Sequence, residues 1–467
     1  RQAGARQSRG DVALKARGPV LSGDVARFLR SRGGLGYLVG GAVRDALLED
    51  GPGLIGDNLD LAVEGVEPVE VAKFLHARFG FTRPVAFRRS DTVFTGDGRV
   101  EVEICPLRGS LEEDARRRDF TVNSLYVKLP SAAVRVTEAN VIDPTGSGLA
   151  DLEAGILRTC LDPYTPFAED PARLLRAVRF RATLGFRIDE SVKAAMGRMA
   201  FLVSRVAAER ARDELEKIVL SRRLVSSFRL MHRLGLLAIL LPDLAETAGF
   251  DQGSPYHAYD LLTHTLKTAA RTRPDLRLRL AALFHDAGKM KARRRRGDRV
   301  VYYGHEKISA RRARSVLEDL RFPMRLINDV VFLIENHMVN YSESWTDAAV
   351  RRFMRKMGGR LGLVLELARA DRSAHAPDAR MGASVSDLRK RIQRVEASMK
   401  SKRISFRPPL DGHRIMGILG IEQGPDVGRA KEYLYRVMLE RGEPIPSGEA
   451  EHLLKKWATS RKIKQSK

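Results

Sequence analysis

Cysteine is nearly absent: only Cys105 and Cys160 occur among 467 residues. Two thiols exclude a disulfide framework and cannot build a zinc cage, and they suit a reducing cytoplasm with no disulfide-linked partner. No apolar run approaches the roughly 20 residues that a membrane helix needs, so no membrane partner is expected. The first residues are rich in Arg, Gly and Ser without an apolar core, unlike a secretory signal. With Arg1 rather than Met in first place, the start is expected to be trimmed or partial. Acidic residues are also short, 58 Asp and Glu against 82 Lys and Arg, for a net charge of +24. Such a charge attracts polyanions by counterion release and steering, which points to nucleic acid without specifying its sequence. An arginine-rich surface tuned for solubility is the alternative.

What is present reads as a multidomain globular chain. The length exceeds one ordinary core, so two to four domains are expected, and 43% hydrophobic with 30% charged residues excludes disorder. Residues 1–18 read as a basic flexible tail. From there to 160 strand and helix signals mix. A helix carrying Val25, Phe28 and Leu29 precedes a strand over Leu35–Val39. A glycine turn, a helix over 42–48, a strand over 59–63, a helix over Pro68–Phe79 and a hairpin ending at 100–104 follow. This predicts a small mixed sheet with helices on one side. Beyond 165, helical periodicity dominates, as at 173–183, 205–220 and 221–240, and strand signals nearly vanish. Breaks fall near 245–255, 291–303, 376–384 and 403–412. The fold class is α+β: a head over 19–160, then all-helical segments over 161–245, 246–400 and 401–467.

The head carries a phosphate-type turn and converging acids. Gly40-Gly41-Ala42-Val43-Arg44-Asp45 runs from strand through two glycines into a helix, so backbone N–H groups can approach a triphosphate. It is not a P-loop, since the Gly-Lys-Ser/Thr ending is missing. The next strand reads Asp57-Asn58-Leu59-Asp60, and alternation puts Asn58 and Asp60 on one side and Asp57 on the other. A later strand offers Glu103 or Glu101. Carboxylates converging from two strands can hold Mg²⁺ for phosphoryl transfer, whereas solvent-facing acids on an edge strand would look alike. In Arg116-Arg117-Arg118-Asp119-Phe120-Thr121-Val122-Asn123-Ser124-Leu125, the arginines can neutralise phosphate and Asn123 can contact a ribose hydroxyl.

Together these motifs resemble, in order and spacing, the head of the class II tRNA nucleotidyltransferase and bacterial poly(A) polymerase family. Further segments extend the resemblance over about 35–240. Asp143 to Leu152 resembles its hinge, Glu169-Asp170-Pro171-Ala172-Arg173 its nucleotide-templating helix, and Glu209-Arg210 with Glu214 the helix that buttresses it. The resemblance implies catalytic, Mg²⁺-binding roles for Asp60 and Glu103, joined by Asn58. It places the triphosphate at Gly40, Gly41, Arg44 and Asp45, and phosphate and sugar at Arg118, Asp119 and Asn123. Asp170 and Arg173 would read the edge of the incoming base, with Arg176 and Arg179 on the same helix also at the nucleotide. From the residues alone, Glu169 to Arg173 is equally an i, i+4 ion pair. Two positions depart from the pattern. Asn58 stands where the family has the first Asp of Asp-x-Asp, which lowers the charge available to Mg²⁺. Ser147 separates two hinge glycines as an extra residue.

Histidine is scarce, yet five of the ten fall between His257 and His337. His264, His285-Asp286-Ala287-Gly288-Lys289, His305, His337 and a later Asp371 offer imidazoles and carboxylates from successive helices, a set suited to a divalent transition metal. The pattern resembles the HD phosphohydrolase superfamily. That implies a first site of His264, His285, Asp286 and Asp371 holding a Mn²⁺- or Ni²⁺-like ion, with Lys289 near a phosphate. His305 and His337 would be further ligands or acid–base groups. An HD fold kept for packing or tRNA contact is the alternative. The basic run 293–296 reads as a loop beside this site, either solvated or touching RNA phosphate. The segment Asp411 to Gly428 resembles the C-terminal helical module of HD-containing tRNA nucleotidyltransferases, with Pro425 opening a helix.

The expected function is therefore addition of CMP and AMP from CTP and ATP to tRNA 3′ ends, as CCA, CC or A. The other readings are a poly(A) polymerase, a metal-dependent phosphohydrolase with an RNA-binding head, and an RNA-binding chaperone.

Overall fold

The computed structural model describes residues 17–48, 58–87, 91–130, 135–253, 259–297, 299–375, 385–401 and 409–461. The tail up to residue 16, Asp57, His257 and most of the breaks expected near 376–384 and 403–412 lie outside these. The chain forms two compact units, one ending at Leu240 and the other beginning at Leu241. No helix among the described residues is long and apolar enough to cross a membrane.

The first unit opens with α1 (Arg17–Ser31), β1 (Leu35–Val39), α2 (Gly41–Leu48), β2 (Asn58–Glu64) and α3 (Pro68–Phe79). Next come β3 (Val85–Phe87), β4 (Thr92–Gly96), β5 (Glu101–Pro106), α4 (Leu111–Arg117), β6 (Tyr126–Lys128) and β7 (Val141–Ile142). Among the described residues these strands form one sheet in the order β3-β4-β5-β2-β1-β6-β7. The β2–β5 pair is parallel and all its neighbours are antiparallel. Leu38, Leu59, Leu61, Val102 and Ile104 are buried by alternation, and the helices α1 and α3 pack on β1, β4 and β5.

Helices do not keep to one side, as the sequence pattern had suggested. A β-carbon on Gly36 would touch Leu29 of α1, whereas the adjacent Tyr37 packs with Val39, Ala62, Tyr126 and Ala115 of α4. Successive strand residues face opposite ways, so α1 and α4 cover opposite faces. The face carrying α4 stays open where the acids emerge. α4 itself starts at a full capping box between Ser110 and Glu113.

The rest of this unit is helical: α5 (Gly148–Ala154), α6 (Tyr164–Glu169), α7 (Ala172–Leu184), α8 (Glu190–Arg198), α9 (Ala208–Leu220) and α10 (Leu224–Arg233). α7 packs on α9 and α10 through Leu174, Leu175, Val178, Leu215 and Phe228. A two-residue strand, Arg187–Ile188, pairs with Ile156–Leu157, a β element within the segment read as purely helical.

The second unit contains α11 (Leu261–Ala270), α12 (Leu276–Phe284), the hairpin β8 (Arg294–Arg296) and β9 (Arg299–Val301), α13 (His305–Asp319) and α14 (Met324–Glu335). It continues with α15 (Asp347–Met357), α16 (Leu361–Ser373), α17 (Val385–Ser401), α18 (Gly412–Leu419), α19 (Pro425–Arg441) and α20 (Ser447–Ser460). α12 is buried on every side from Leu278 to Phe284, so it is the central helix, against α11, α13, α14 and α16. Pro425 sits in the first turn of α19, as its sequence position predicted. The basic run 293–296, expected as a loop, is largely strand β8, because Arg294, Arg295 and Arg296 pair with Val301, Val300 and Arg299.

Candidate functional sites

In the first unit, the parallel register of β2 and β5 sets Asn58 beside Glu101 and Asp60 beside Glu103. Registered neighbours point to the same face, so one amide and three carboxylates emerge together. Asp60 lies under the Gly40–Gly41 turn and accepts the Gly41 backbone N–H at 3.0 Å. Gly40 has φ +69°, which disfavours any β-carbon, and one placed there would stand 2.9 Å from Asp60 Oδ2. Burial pushes the Asp60 carboxyl up, against the Gly41 N–H and the charges of Arg118 and Arg44. Burial and the neighbouring Asp60 charge likewise push Glu103 up. Two adjacent acids that resist ionising together, Asp60 half-buried and Glu103 exposed beside it, form a site that gains from a divalent cation.

A cationic rim surrounds this pair. Arg44 is buried, donates to Asn123 Oδ1 at 2.5 Å and to Asp45 at 2.8 Å, and lies 5.0 Å over the Phe180 ring. Arg118 donates to Asp114 at 3.1 Å and to the Tyr126 hydroxyl at 2.9 Å, while Tyr126 donates to Asp114 at 2.6 Å. Nothing in the sequence singled out Asp114 or Tyr126; their role arises from packing between α4 and β6. Asp119 accepts from its neighbour Phe120 N–H, from Asn123 at 2.9 Å and from Arg176 of α7 at 2.8 Å. Burial opposes ionisation of Asp119, yet Arg176 and Asn123 hold its carboxyl down at about 2.

On α7 and the turn before it, Arg210 of α9 donates twice to Asp170, at 2.9 and 2.7 Å. Arg173 donates to Pro166 O at 3.2 Å and to Arg117 O, and pairs with Glu169 at 3.5 Å, so the i, i+4 ion pair is present. Arg179 donates to Glu214 at 2.5 Å. In the hinge segment, Asp143 holds Thr145 and the N–H of Leu149, and the extra Ser147 stands directly before α5.

In the second unit the expected histidines and acids converge. His264, His285, Asp286 and Asp371 present ligand atoms all within 4.8 Å of one another, and so do Asp286, His305 and His337. Asp286 serves both groups. Its Oδ2 lies 3.1 Å from His285 Nε2 and 3.6 Å from His264 Nε2, and its Oδ1 lies 3.2 Å from His305 Nε2 and 3.9 Å from His337 Nε2. Asp371 closes the first group, 3.0 Å from His264 and 3.5 Å from His285.

Backbone carbonyls orient three of the rings. Ala282, Tyr302 and Ile334 each face the Nδ1 of His285, His305 and His337 at 2.7 Å, which leaves Nε2 aimed inward. His285 Nε2 is buried and faces Asp286 and Asp371 at 3.1 and 3.5 Å without a well-aligned hydrogen bond to either. Burial disfavours a charged His285, yet Asp286 and Asp371 overcome it and push the imidazole up to about 10. Burial and His285 push His337 down to about 4. A buried donor set of this kind, with ring nitrogens and carboxylate oxygens converging within 4.8 Å, fits a divalent metal.

Lys289 Nζ lies 2.7 Å from Asp286 and donates to Gln252 Oε1 at 2.9 Å. Gln252 was not legible beforehand, since a lone Gln ahead of the histidines carries no pattern. His375 was also missed; its ring stands 5.0 Å from that of His264. Gly288 permits the tight turn after Asp286, because a β-carbon there would meet His305 O at 2.5 Å.

These two sites can be set beside known proteins. Residues 89–158 match the poly A polymerase head domain, 185–247 the probable RNA and SrmB-binding site of polymerase A, and 256–376 the HD domain. A CC-adding tRNA nucleotidyltransferase of Thermus thermophilus is 34% identical over 445 residues, covering 92% of this chain and 95% of that one. An A-adding tRNA nucleotidyltransferase of Deinococcus radiodurans is 32% identical, covering 90% and 95%. The CCA-adding enzyme of Bacillus stearothermophilus, solved in complex with CTP, shares the fold with a TM-score of 0.65 at 21% identity, over 94% of this chain and 98% of that one. Similar over nearly its full length to such relatives, this chain belongs to the tRNA nucleotidyltransferase and poly(A) polymerase family, with an HD domain in its second unit.

Proposed function

We propose that this protein transfers CMP, AMP or both from CTP and ATP to the 3′-hydroxyl of tRNA without a nucleic-acid template. The observation that carries this reading is Asp60 beside Glu103 under the Gly40–Gly41 turn. The tRNA 3′-oxygen bonds to the α-phosphorus, the bond to pyrophosphate breaks, and the hydroxyl proton is released to water. Asp60 and Glu103, with the Asn58 amide oxygen, would hold Mg²⁺, which when bound supplies charge neutralisation at the phosphates. Gly40, Gly41, Arg44 and Asp45 cradle the triphosphate, and Arg118, Asp119 and Asn123 orient phosphate and sugar. Asp170 and Arg173 read the base edge, with Arg210 aligning Asp170, while Arg176 and Arg179 stiffen the same helix.

The domain assignment that accompanies this reading is a tail over 1–18, a head over 19–160, a neck over 161–245, an HD domain over 246–400 and a C-terminal module over 401–467. The free thiols of Cys105 and Cys160 suit the cytoplasm. The relatives' names divide among CC-adding, A-adding and multifunctional CCA proteins, so the test is incorporation of CTP and ATP into tRNAs ending before, within and after CCA, with Mg²⁺. Addition confined to these ends supports the reading. Long adenosine tails on arbitrary RNA overturn it in favour of a poly(A) polymerase.

A second activity is favoured by the sharing of Asp286 between two ligand groups. His264, His285, Asp286 and Asp371 would hold one transition-metal ion of the Mn²⁺ or Ni²⁺ type, and His305 and His337 would serve a second ion or move protons. The matching reaction is hydrolysis of a 2′,3′-cyclic phosphate: water oxygen bonds to phosphorus, one ribose P–O bond breaks, and a water proton goes to the departing oxygen. Metal-stimulated hydrolysis abolished by Asp286→Ala supports this; hydrolysis that persists in that variant refutes it.

A further inference from the structure

The hairpin of β8 and β9 is built on the wall of the HD site. Tyr302, directly after β9, holds His305 Nδ1 with its carbonyl at 2.7 Å and donates its hydroxyl to Gln252 O at 2.6 Å. Gln252 in turn holds Lys289 at 2.9 Å, and Lys289 touches Asp286 at 2.7 Å. Gln252 is 1% exposed, and its Nε2 is buried with no partner among the described residues. An unsatisfied amide donor beside a lysine marks a place for an acceptor such as a phosphoryl oxygen.

Strand alternation sorts the hairpin into two faces. Val300 packs toward Gly253, where a β-carbon would lie 3.1 Å from its Cγ2, so this face is turned to the domain at Val300, while its register partner Arg295 stays exposed. Arg294, Arg296 and Arg299 fall on the opposite face, since Arg296 registers with Arg299. All three are exposed, and Arg294 meets only the backbone oxygens of Lys291 and Arg293, not a carboxylate, among the described residues. Tyr303 shares that face: it is 71% exposed, and its hydroxyl lies 3.5 Å from Arg296 Nη1. A Tyr this exposed, with a guanidinium group at its hydroxyl, contributes little to the core. Guanidinium groups track phosphates and an aromatic ring stacks a base, the combination that binds single-stranded nucleic acid.

We propose that the outer face of this hairpin is a single-stranded RNA docking arm for the HD site. Arg294, Arg296 and Arg299 bind the phosphodiester backbone and Tyr303 stacks a base. The terminal phosphoryl group reaches Lys289 and Gln252. The HD site thereby takes the 3′ end of an RNA chain rather than a free nucleotide. The substrate assignment rests on the phosphohydrolase reading above; the RNA contact itself does not.

The test compares the full chain with the R294E/R296E/R299E variant and its R294K/R296K/R299K counterpart. One readout is anisotropy of a fluorescent single-stranded oligoribonucleotide ending in a 2′,3′-cyclic phosphate, over a salt series. The other is hydrolysis of that oligonucleotide and of a cyclic mononucleotide. The Glu variant is expected to bind the oligonucleotide at least 10-fold more weakly. Its log–log salt slope should fall by about 2, from roughly 0.7 per lost phosphate contact. KM should rise for the oligonucleotide alone, and the Lys variant should retain most of the affinity. Tyr303→Ala should weaken oligonucleotide binding several-fold. Unchanged affinity and slope in the Glu variant overturn the proposal, as does an equal loss on oligonucleotide and mononucleotide. If no variant hydrolyses anything, the phosphohydrolase reading fails, and the binding comparison still decides the arm.

Discussion

Gly40 and Asp60 are matched by exclusion: a β-carbon on Gly40 would lie 2.9 Å from Asp60 Oδ2, in a backbone conformation with φ +69°. Gly40→Ala is therefore expected to strain the turn by about 1–2 kcal/mol and to displace the carboxylate. Urea unfolding should show the lower stability, and CTP incorporation should fall at least 10-fold. Full incorporation by a destabilised variant would separate the turn from the chemistry.

Asn58 shares its face with Asp60 and Glu101, and it brings an amide where a carboxylate would bind Mg²⁺ more strongly. Asn58→Asp is expected to lower the Mg²⁺ concentration for half-maximal nucleotide addition several-fold. A magnesium titration of the incorporation rate checks this. An unmoved midpoint would show that residue 58 does not touch the ion.

The Arg176–Asp119 contact, 2.7 Å long, ties α7 to the head sheet's loop. Asp119 has its carboxyl depressed to about 2, below the unfolded value near 3.9, so it contributes stability above pH 4. That contribution, on the order of 2 kcal/mol, is lost as pH falls from 4 towards 2. Arg176→Met leaves a buried carboxylate without its cation and should cost about 3 kcal/mol at neutral pH. Denaturant midpoints between pH 2 and 7 should show a shallower acid dependence in the variant.

Because Asp286 faces both ligand groups, Asp286→Ala and His337→Ala should differ in kind. The first should abolish metal retention, and the second should spare the group built from His264, His285 and Asp371. Metal content after dialysis against Mn²⁺ measures both. Equal loss in the two variants would mean that the groups do not bind independently.

Much of this arrangement is local, and local features are legible in a sequence. The bounds of β1 and α3 follow from short apolar runs and from a proline at a helix start. The Gly40–Gly41 turn, the Asp60 strand and the crowding of histidines around Asp286 are patterns of neighbours along the chain. The family's motifs gave names to the same residues.

Tertiary structure alone decided which of these meet. Strand alternation alone left Glu101 and Glu103 equal and only the family resemblance favoured Glu103; the parallel register of β2 and β5 sets Glu103, not Glu101, beside Asp60. Arg210 on Asp170, Asp114 and Tyr126 on Arg118, and Gln252 on Lys289 are partnerships between segments far apart in sequence. Four consecutive arginines gave no sign that 294 and 296 would line one face with Arg299 and Tyr303, because that depends on strand pairing across a turn. Residue type and spacing determine what chemistry is on offer. Register and packing, set by contacts over the whole fold, determine which groups share a low-dielectric site and so act together.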